Sequence, residues 1–482
     1  MSASILVLLA ALGCAEHSSS PSGALATAQS DTASLSGTPG DTSGDPEHAA
    51  EVAALTTLLE EAGYDVAPGE LFFLDIEDCE HLQSCYGNNP ASPYGMYALP
   101  VPEGVEPFDG FVFPGNPNST MWRLRPDEAV LLLGRTPPPA EYFGLTSYVY
   151  SRDGKDIFAS LNNSLNPVTL RVDSDGSYAG AFDQETAIVH TADANTWRDV
   201  LMALGGAGVS PDIVNLDPLP SELITMGGAP SDDVLGVLFR VALPEDPAAL
   251  AAYREQPPVT ILRITPHTER EHDPLPVSEI AERDTDASIE APLEPALEAL
   301  EDAAKEAWPS ARRVNAPSTS APVFGRTCIR LNHRCFGDNP DTSYALTPSL
   351  RSLGEGEAYL VLGVNHQATG TATYSNVSIY EPDKFIGVKN AASPDMPGTA
   401  QILLPEHPDA DLLFAWWFAR ECPTEGPIAD ACTEVPVEFP GLGLDSHPVF
   451  LSRGYMEPGE PSGPKTSRLV LPVVLKIEDF GE

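Results

Sequence analysis

A ten-residue pattern occurs twice in this chain, and no other feature limits its fold as much. Cys85-Tyr-Gly-Asn-Asn-Pro-Ala-Ser-Pro-Tyr94 returns as Cys335-Phe-Gly-Asp-Asn-Pro-Asp-Thr-Ser-Tyr344, each with a second cysteine, Cys79 or Cys328, shortly upstream. Glu128-Ala-Val-Leu-Leu-Leu-Gly134 likewise matches Glu357-Ala-Tyr-Leu-Val-Leu-Gly363, and both lead into aromatic stretches at 142–150 and 373–380. A lysine and a hydrophobic pair follow in each copy, Lys155 to Phe158 and Lys384 to Ile386. Each copy then closes on an arginine before an acidic Pro turn, Arg240 or Arg453, and an apolar strand at 257–264 or 468–477. One order of elements repeated across two halves is most economically a duplication.

Length agrees, since 482 residues exceed what one hydrophobic core usually serves. Within each half, short apolar or alternating runs separated by Pro, Gly, Asn and Asp predict strands joined by turns. One helix per half is expected after a capping aspartate, Asp193 before residues 194–204 and Asp409 before residues 410–420. The Phe414, Trp416, Trp417 and Phe418 cluster would then sit on the second helix as core. The fold class that follows is mainly β: two tandem, diverged β-sandwich modules, each with one packed helix. The first module spans 47–270 and opens with an amphipathic helix at 47–63; the second spans 319–482. Between them, 271–318 reads as an acidic, Pro-rich linker, a solvated strap with little to bury and an exposed helix at 293–307.

The N-terminus gives an address. Apolar residues Ile5 to Leu12 precede Gly13-Cys14, which resembles a bacterial lipoprotein signal peptide (1–14) ending at a lipid-acceptor cysteine. No Leu stands three places before Cys14, and no Lys or Arg precedes the apolar run. Residues 15–46, rich in Ser, Thr, Gly, Ala and Pro, read as a flexible tether. The expectation is export and lipid anchoring at Cys14 to a bacterial cell envelope, the outer membrane in particular, with ordinary cleaved secretion as the alternative. Seventy acidic against 26 basic residues, a formal charge of −44, argue against nucleic-acid and anionic-bilayer partners. Six further cysteines in an exported chain, Cys79, Cys85, Cys328, Cys335, Cys422 and Cys432, argue for disulfides. The local pairs Cys79–Cys85, Cys328–Cys335 and Cys422–Cys432 are expected among the 15 possible connectivities.

The modules resemble those of an uncharacterised group of bacterial envelope proteins with paired β-sandwich domains. The likeness rests on Asn116-Pro-Asn-Ser-Thr-Met-Trp122, the stretch EYFGLTSYVYSRDG at 141–154, FRVALPEDP at 239–247 and PPVTIL at 257–262. It implies a fold and no activity.

Candidate chemistry is sparse. His190 and Asp193 close a strand at a helix start, where a His and an Asp could share a proton; the bland reading makes Asp193 a helix cap. His366, between Asn365 and Gln367, is a loop histidine that could join them in a site between the modules. The linker histidines His267 and His272, with Glu269, Glu271 and Asp273, sit in a flexible setting that could hold a metal only loosely, and the turns at Asp173 to Gly176 and Asp409 to Asp411 lack the further ligands of a calcium loop, so no metal or cofactor is expected. For Arg240 and Arg453 an internal salt bridge to Glu245 or Glu457 is expected rather than an anion site. GxSxG, HExxH, P-loop and GxGxxG motifs are absent. The expectation is thus an envelope lipoprotein with a binding or structural role toward an unknown extracellular ligand. A hydrolase-like enzyme with a site between the modules is the alternative.

Overall fold

Alternation of apolar and polar residues along the first half produces ten strands: β1 (Tyr64–Leu74), β2 (Tyr94–Pro100), β3 (Asn118–Ser119), β4 (Ala129–Arg135), β5 (Ala140–Arg152), β6 (Lys155–Ser160), β7 (Glu185–Thr191), β8 (Val214–Pro218), β9 (Val234–Pro244) and β10 (Val259–Pro266). The second half adds β11 (Arg312–Arg313), β12 (Ser318–Thr319), β13 (Thr342–Leu346), β14 (Ala358–Val364), β15 (Tyr374–Glu381), β16 (Ile386–Ala392), β17 (Leu413–Ala419), β18 (Cys432–Glu434), β19 (Val449–Tyr455) and β20 (Val473–Ile477). The helices are α1 (Pro46–Glu61), α2 (Ala194–Ala207), α3 (Pro247–Glu255), α4 (Glu294–Ala307) and α5 (Arg326–Leu331). These elements come from a computed structural model, which describes residues 46–80, 82, 84–105, 118–174, 176–314, 318–319 and 325–481. Cys14, the expected signal peptide, the tether up to residue 45, Asn116-Pro117 and Asp175 lie outside the described residues.

The protein is mainly β and sandwich-like, its described strands forming one sheet of ten strands and two of five. In the first half β1 serves two neighbours: Tyr64 to Gly69 pair with β10, and Glu70 to Leu74 pair with β2. The path therefore runs β6-β5-β9-β2-β1-β10-β4-β7-β8. In the second half the paths are β11-β20-β14-β17-β18 and β12-β13-β19-β15-β16. Both halves are antiparallel except at one edge, where β7–β8 and β17–β18 run parallel.

Side chains alternate between two cores in the first half. Ile188 and Ala192 face Phe143, Leu145, Val149 and Tyr97 between the sheets, whereas Ala187 and Val189 face the helices. Leu55 and Leu59 of α1, one turn apart, and Val200, Ala203 and Leu204 of α2 cover that outer face. Asp193 caps α2 as expected, its carboxylate accepting from Thr196 N–H at 2.9 Å.

Two expectations are corrected. Residues 413–419 form strand β17 and not a helix, so Asp409 caps none and the second half has no counterpart of α2 there. The run Leu-Phe-Ala-Trp-Trp-Phe-Ala is aromatic and apolar at every position, and β17 lies between β14 and β18, with all seven residues buried. That burial suits a central strand, which needs no polar face. The helix that covers this sheet comes from the supposed strap: Ala296, Leu297, Leu300 and Ala304 of α4 are buried against the Trp417 core. Its apolar positions fall at i, i+1, i+4 and i+8, a stripe hidden in an acidic composition.

The rest of the strap is held by polar contacts. Arg283 donates to Ser343 Oγ and to the carbonyls of Pro464, Asn339, Pro340 and Thr342. Asn163 donates its amide to the Glu279 carbonyl and accepts from Ala281 N–H, both at 2.8 Å.

Candidate functional site

The repeated ten-residue pattern builds the junction between the halves, and each copy serves the opposite half. In the first loop Cys85 N–H donates to Lys384 O at 2.8 Å and Gly87 N–H to Phe385 O at 2.9 Å. In the second, Cys335 N–H donates to Ile157 O at 2.7 Å and Gly337 N–H to Phe158 O at 2.8 Å. Both glycines adopt φ of +72° with a phenylalanine ring against them: a Cβ on Gly87 would stand 2.5 Å from the Phe385 ring, and one on Gly337 2.3 Å from that of Phe158. Glycine is thus required twice over, by conformation and by contact. The next residues repeat the exchange. Asn88 Oδ1 accepts from Gly387 N–H at 2.8 Å, and Asp338 Oδ1 from Ser160 N–H at 2.9 Å. Tyr380 donates to Asn88 O at 2.6 Å, and Tyr148 to Asp338 O at 2.8 Å.

Between the loops two sheets meet face to face through aromatic and polar side chains. Tyr142 and Ala242 pack on Tyr374, Ala392, Tyr455 and Met456. Arg240 lies over the rings of Tyr94 and Tyr148 at 5.6 and 5.5 Å; Arg453 lies over those of Tyr344 and Tyr380 at 5.8 and 5.5 Å. Both guanidinium groups are buried. The expected salt bridges are not made: Arg240 donates to Tyr148 OH at 2.7 Å and Arg453 to Gly87 O at 2.7 Å, while Glu457 pairs with Arg468. Tyrosine rings flank both guanidinium groups where Glu245 and Glu457 do not reach.

Two buried aspartates belong to this junction. Burial pushes Asp341 up to about 6 against hydrogen bonds from Tyr142 and Asn166 that favour its charged form. Burial likewise raises Asp338, opposed by bonds from Ser160 and Gly325.

The sequence-predicted site residues do not assemble there. His190, on β7, faces the core of the first half, and its Nδ1 lies 2.8 Å from Asp217 Oδ2, not beside Asp193. Asp193 is occupied as a cap and also accepts from Asp273 N–H at 2.7 Å. Ser147 Oγ donates to the same Asp217 oxygen, and Asn162 donates to Oδ1 at 2.6 Å. Burial pushes the Asp217 carboxyl up, but the bonds from His190, Ser147 and Asn162 outweigh it and hold the group below its ordinary value. Serine, histidine and aspartate are together, yet the hydroxyl bonds the carboxylate, and both meet the imidazole on its Nδ1 side. In a nucleophilic triad the histidine accepts the hydroxyl proton on the nitrogen away from the carboxylate; here that nitrogen, Nε2, has no hydrogen-bond partner among the described residues, and His190 is 1% exposed. The arrangement is a closed hydrogen-bonded cluster on Asp217 that does not place the imidazole to activate Ser147.

His366 is buried in the second half, its Nδ1 2.8 Å from Glu290 Oε1. Glu290 also accepts from Thr369 Oγ1 and Val470 N–H, which with His366 hold its carboxyl low although burial pushes it up. The contact fixes the strap to the second core. A cavity of about 10 Å³, the space of one water, borders His366, Ser375, Asn376 and Ser452.

Sequence reasoning missed Ser147 and Asp217. The signal was present: Ser147 interrupts the inward series Phe143, Leu145, Val149, and Asp217 falls at an inward position of β8.

The three cysteine pairs are disulfides as expected, Cys79–Cys85, Cys328–Cys335 and Cys422–Cys432, with Cα separations of 5.5, 5.9 and 5.8 Å. They differ in setting. The first two belong to the exchanged loops and are buried, whereas Cys422 and Cys432 are half-buried and lie away from the junction, tying the segment after β17 to β18. Cys422 N–H also donates to Glu434 Oε1 at 3.3 Å. The Cys422–Cys432 bridge therefore has no counterpart in the first half among the described residues. Three disulfides suit an oxidising, exported environment. Among the described residues no helix is long and apolar enough to cross a membrane, and no group of three or more His, Cys, Asp or Glu side chains could hold a metal ion.

No family model matches the chain, and no curated protein matches it. Two solved structures align along most of it. An uncharacterised protein from Burkholderia cenocepacia has 14% identity and a TM-score of 0.40, covering 90% of each chain. A protein from Vibrio parahaemolyticus has 13% identity and a TM-score of 0.39, covering 89% of this chain and 98% of the other.

Proposed function

We propose that this is an exported envelope protein, lipid-anchored through Cys14, whose two halves are diverged copies of one β-sandwich module and whose role is binding or structural. The observation that carries the reading is the reciprocal exchange of the Cys-x-Gly-x-Asn-Pro loops. A strand order that matches except that β11 and β12 stand where the first half has the single β1, the parallel pair at the same edge and the exchanged loops would all follow from one duplicated unit. The strands that could line a cleft between modules instead bury Tyr142, Tyr374 and Tyr455 against one another. The halves thus form one braced body that offers its outer faces and loops to a ligand. Three disulfides suit such a role outside the cytoplasm.

Two measurements test this reading. Labelled palmitate should be incorporated by the wild-type chain and lost in Cys14→Ser; no incorporation by wild type removes the anchor. The full-length protein, offered ester, amide and glycoside substrates, should show no turnover that His190→Ala abolishes; such turnover would replace the binding role with an enzymatic one.

A further inference from the structure

The two exchanged loops carry different charge. Asp338 and Asp341 of the second loop stand where the first has Asn88 and Ala91. The second loop lies beside Arg240, whose positive charge acts on both carboxyls, and Asp341 accepts from Tyr142 OH at 2.9 Å and Asn166 Nδ2 at 3.0 Å. The first loop lies beside Arg453 and brings no carboxylate.

Arg453 is 2% exposed. Its Nη2 donates to Gly87 O and the Tyr380 hydroxyl also bonds the guanidinium, but among the described residues its Nη1 has no hydrogen-bond partner and no carboxylate lies in salt-bridge range. Register places Asn376 opposite Arg453 and Tyr374 opposite Tyr455, so these four side chains form one patch of the sheet facing the first half. Tyr374 and Tyr455 each accept from Asn89 Nδ2 at 3.2 Å, and neither hydroxyl donates to an acceptor among the described residues. In the other half the equivalent hydroxyl, Tyr142, donates to Asp341.

A guanidinium keeps its proton, and a buried cation is matched by a counter-charge. Buried donors without acceptors point to an occupant. We propose that the patch formed by Arg453, Tyr374 and Tyr455 binds a small inorganic monovalent anion of chloride size, which supplies the charge that Asp341 supplies beside Arg240. One unmatched arginine calls for one negative charge, and enclosure between two sheets selects a small ion. The competing occupant is a water bridging Arg453 Nη1 to the carbonyl Oδ1 of Asn376, which is also buried without a partner.

Crystals of the full chain grown with sodium bromide, measured at the bromine absorption edge, separate the two. An anomalous peak within hydrogen-bond range of Arg453 Nη1 is expected; bromide found only elsewhere, or water-like density at Nη1, overturns the proposal. In solution, replacing chloride with gluconate at constant ionic strength should lower the wild-type melting temperature by about 2 °C. The double variant Ala91→Asp/Asn376→Gly copies the Asp341 and Gly144 pair of the other half and should lose that response. A folded double variant with the wild-type anion response contradicts the proposal, and if it does not fold the bromide map decides alone.

Discussion

Inside the first half, His190, Asp217 and Ser147 meet in a buried polar cluster, whereas the matched positions inside the second half hold Phe418, Thr433 and Ile379. The match follows from register. Counting from Gly134 and Gly363, His190 and Phe418 occupy the same place on β7 and β17, and their parallel neighbours are Asp217 and Thr433. Counting from Arg240 and Arg453 places Ser147 with Ile379. One backbone frame therefore accepts either a hydrogen-bonded His–Asp–Ser cluster or a packed phenylalanine. The polar cluster is not a demand of the fold, since it is present in one half and absent from the matched place in the other.

The comparison breaks most sharply at Asp217. Asp217→Ala leaves His190, Ser147 and Asn162 without their common acceptor and should cost about 3–5 kcal/mol. Thr433→Ala, at the matched place, should cost less than about 1 kcal/mol. Equilibrium urea unfolding of both variants measures the difference, and equal costs would mean that the cluster is not a unit.

A second contrast is Asp341 against Ala91. The folded-state value of Asp341, about 6, lies above the ~3.9 of an unfolded chain. The folded state therefore holds an extra proton between these values, and the associated stability is full below about pH 4 and lost as pH rises through 6. Asp341→Asn should remove this slope, a loss of about 1 kcal/mol between pH 5 and pH 7 in the wild type. Unfolding midpoints at pH 5 and pH 7 check it, and a variant that keeps the wild-type slope would assign the titration elsewhere.

The capping aspartates differ next. Asp193→Ala removes a cap and the bond to Asp273 and should cost about 1–2 kcal/mol; Asp409→Ala, which caps no helix, should stay within about 0.5 kcal/mol. Transplanting one interior into the other should also have little effect. His190→Phe/Asp217→Thr/Ser147→Ile together should leave stability within about 1 kcal/mol of wild type, or above it, because a buried polar cluster that leaves His190 Nε2 unpaired exchanges nearly evenly for packed apolar groups. A large loss would show that the two interiors are not equivalent frames.

The repeated loop, the disulfide pairs and the Asp193 cap were legible because each is local: a few residues with fixed chemistry at fixed spacing. The β17 run was not. Seven consecutive apolar residues have no period, and only the neighbours β14 and β18 decide between helix and strand. Helix α4 was legible as a helix, but its Leu297 and Leu300 stripe is masked by an acidic composition. At the site, the pairing of His190 with Asp217 depends on a parallel neighbour 27 residues away in sequence, which spacing alone does not reveal. Likewise, nothing local in either ten-residue pattern says that it will dock on the other half.

That exchange is the claim on which the account depends. A crystal structure of the full chain, read at residues 84–90 and 335–341, tests it most directly. The account predicts that Cys85 and Gly87 bond the backbone of Lys384 and Phe385 while Cys335 and Gly337 bond that of Ile157 and Phe158. Loops folded back onto their own halves, or halves with different strand orders, would contradict it.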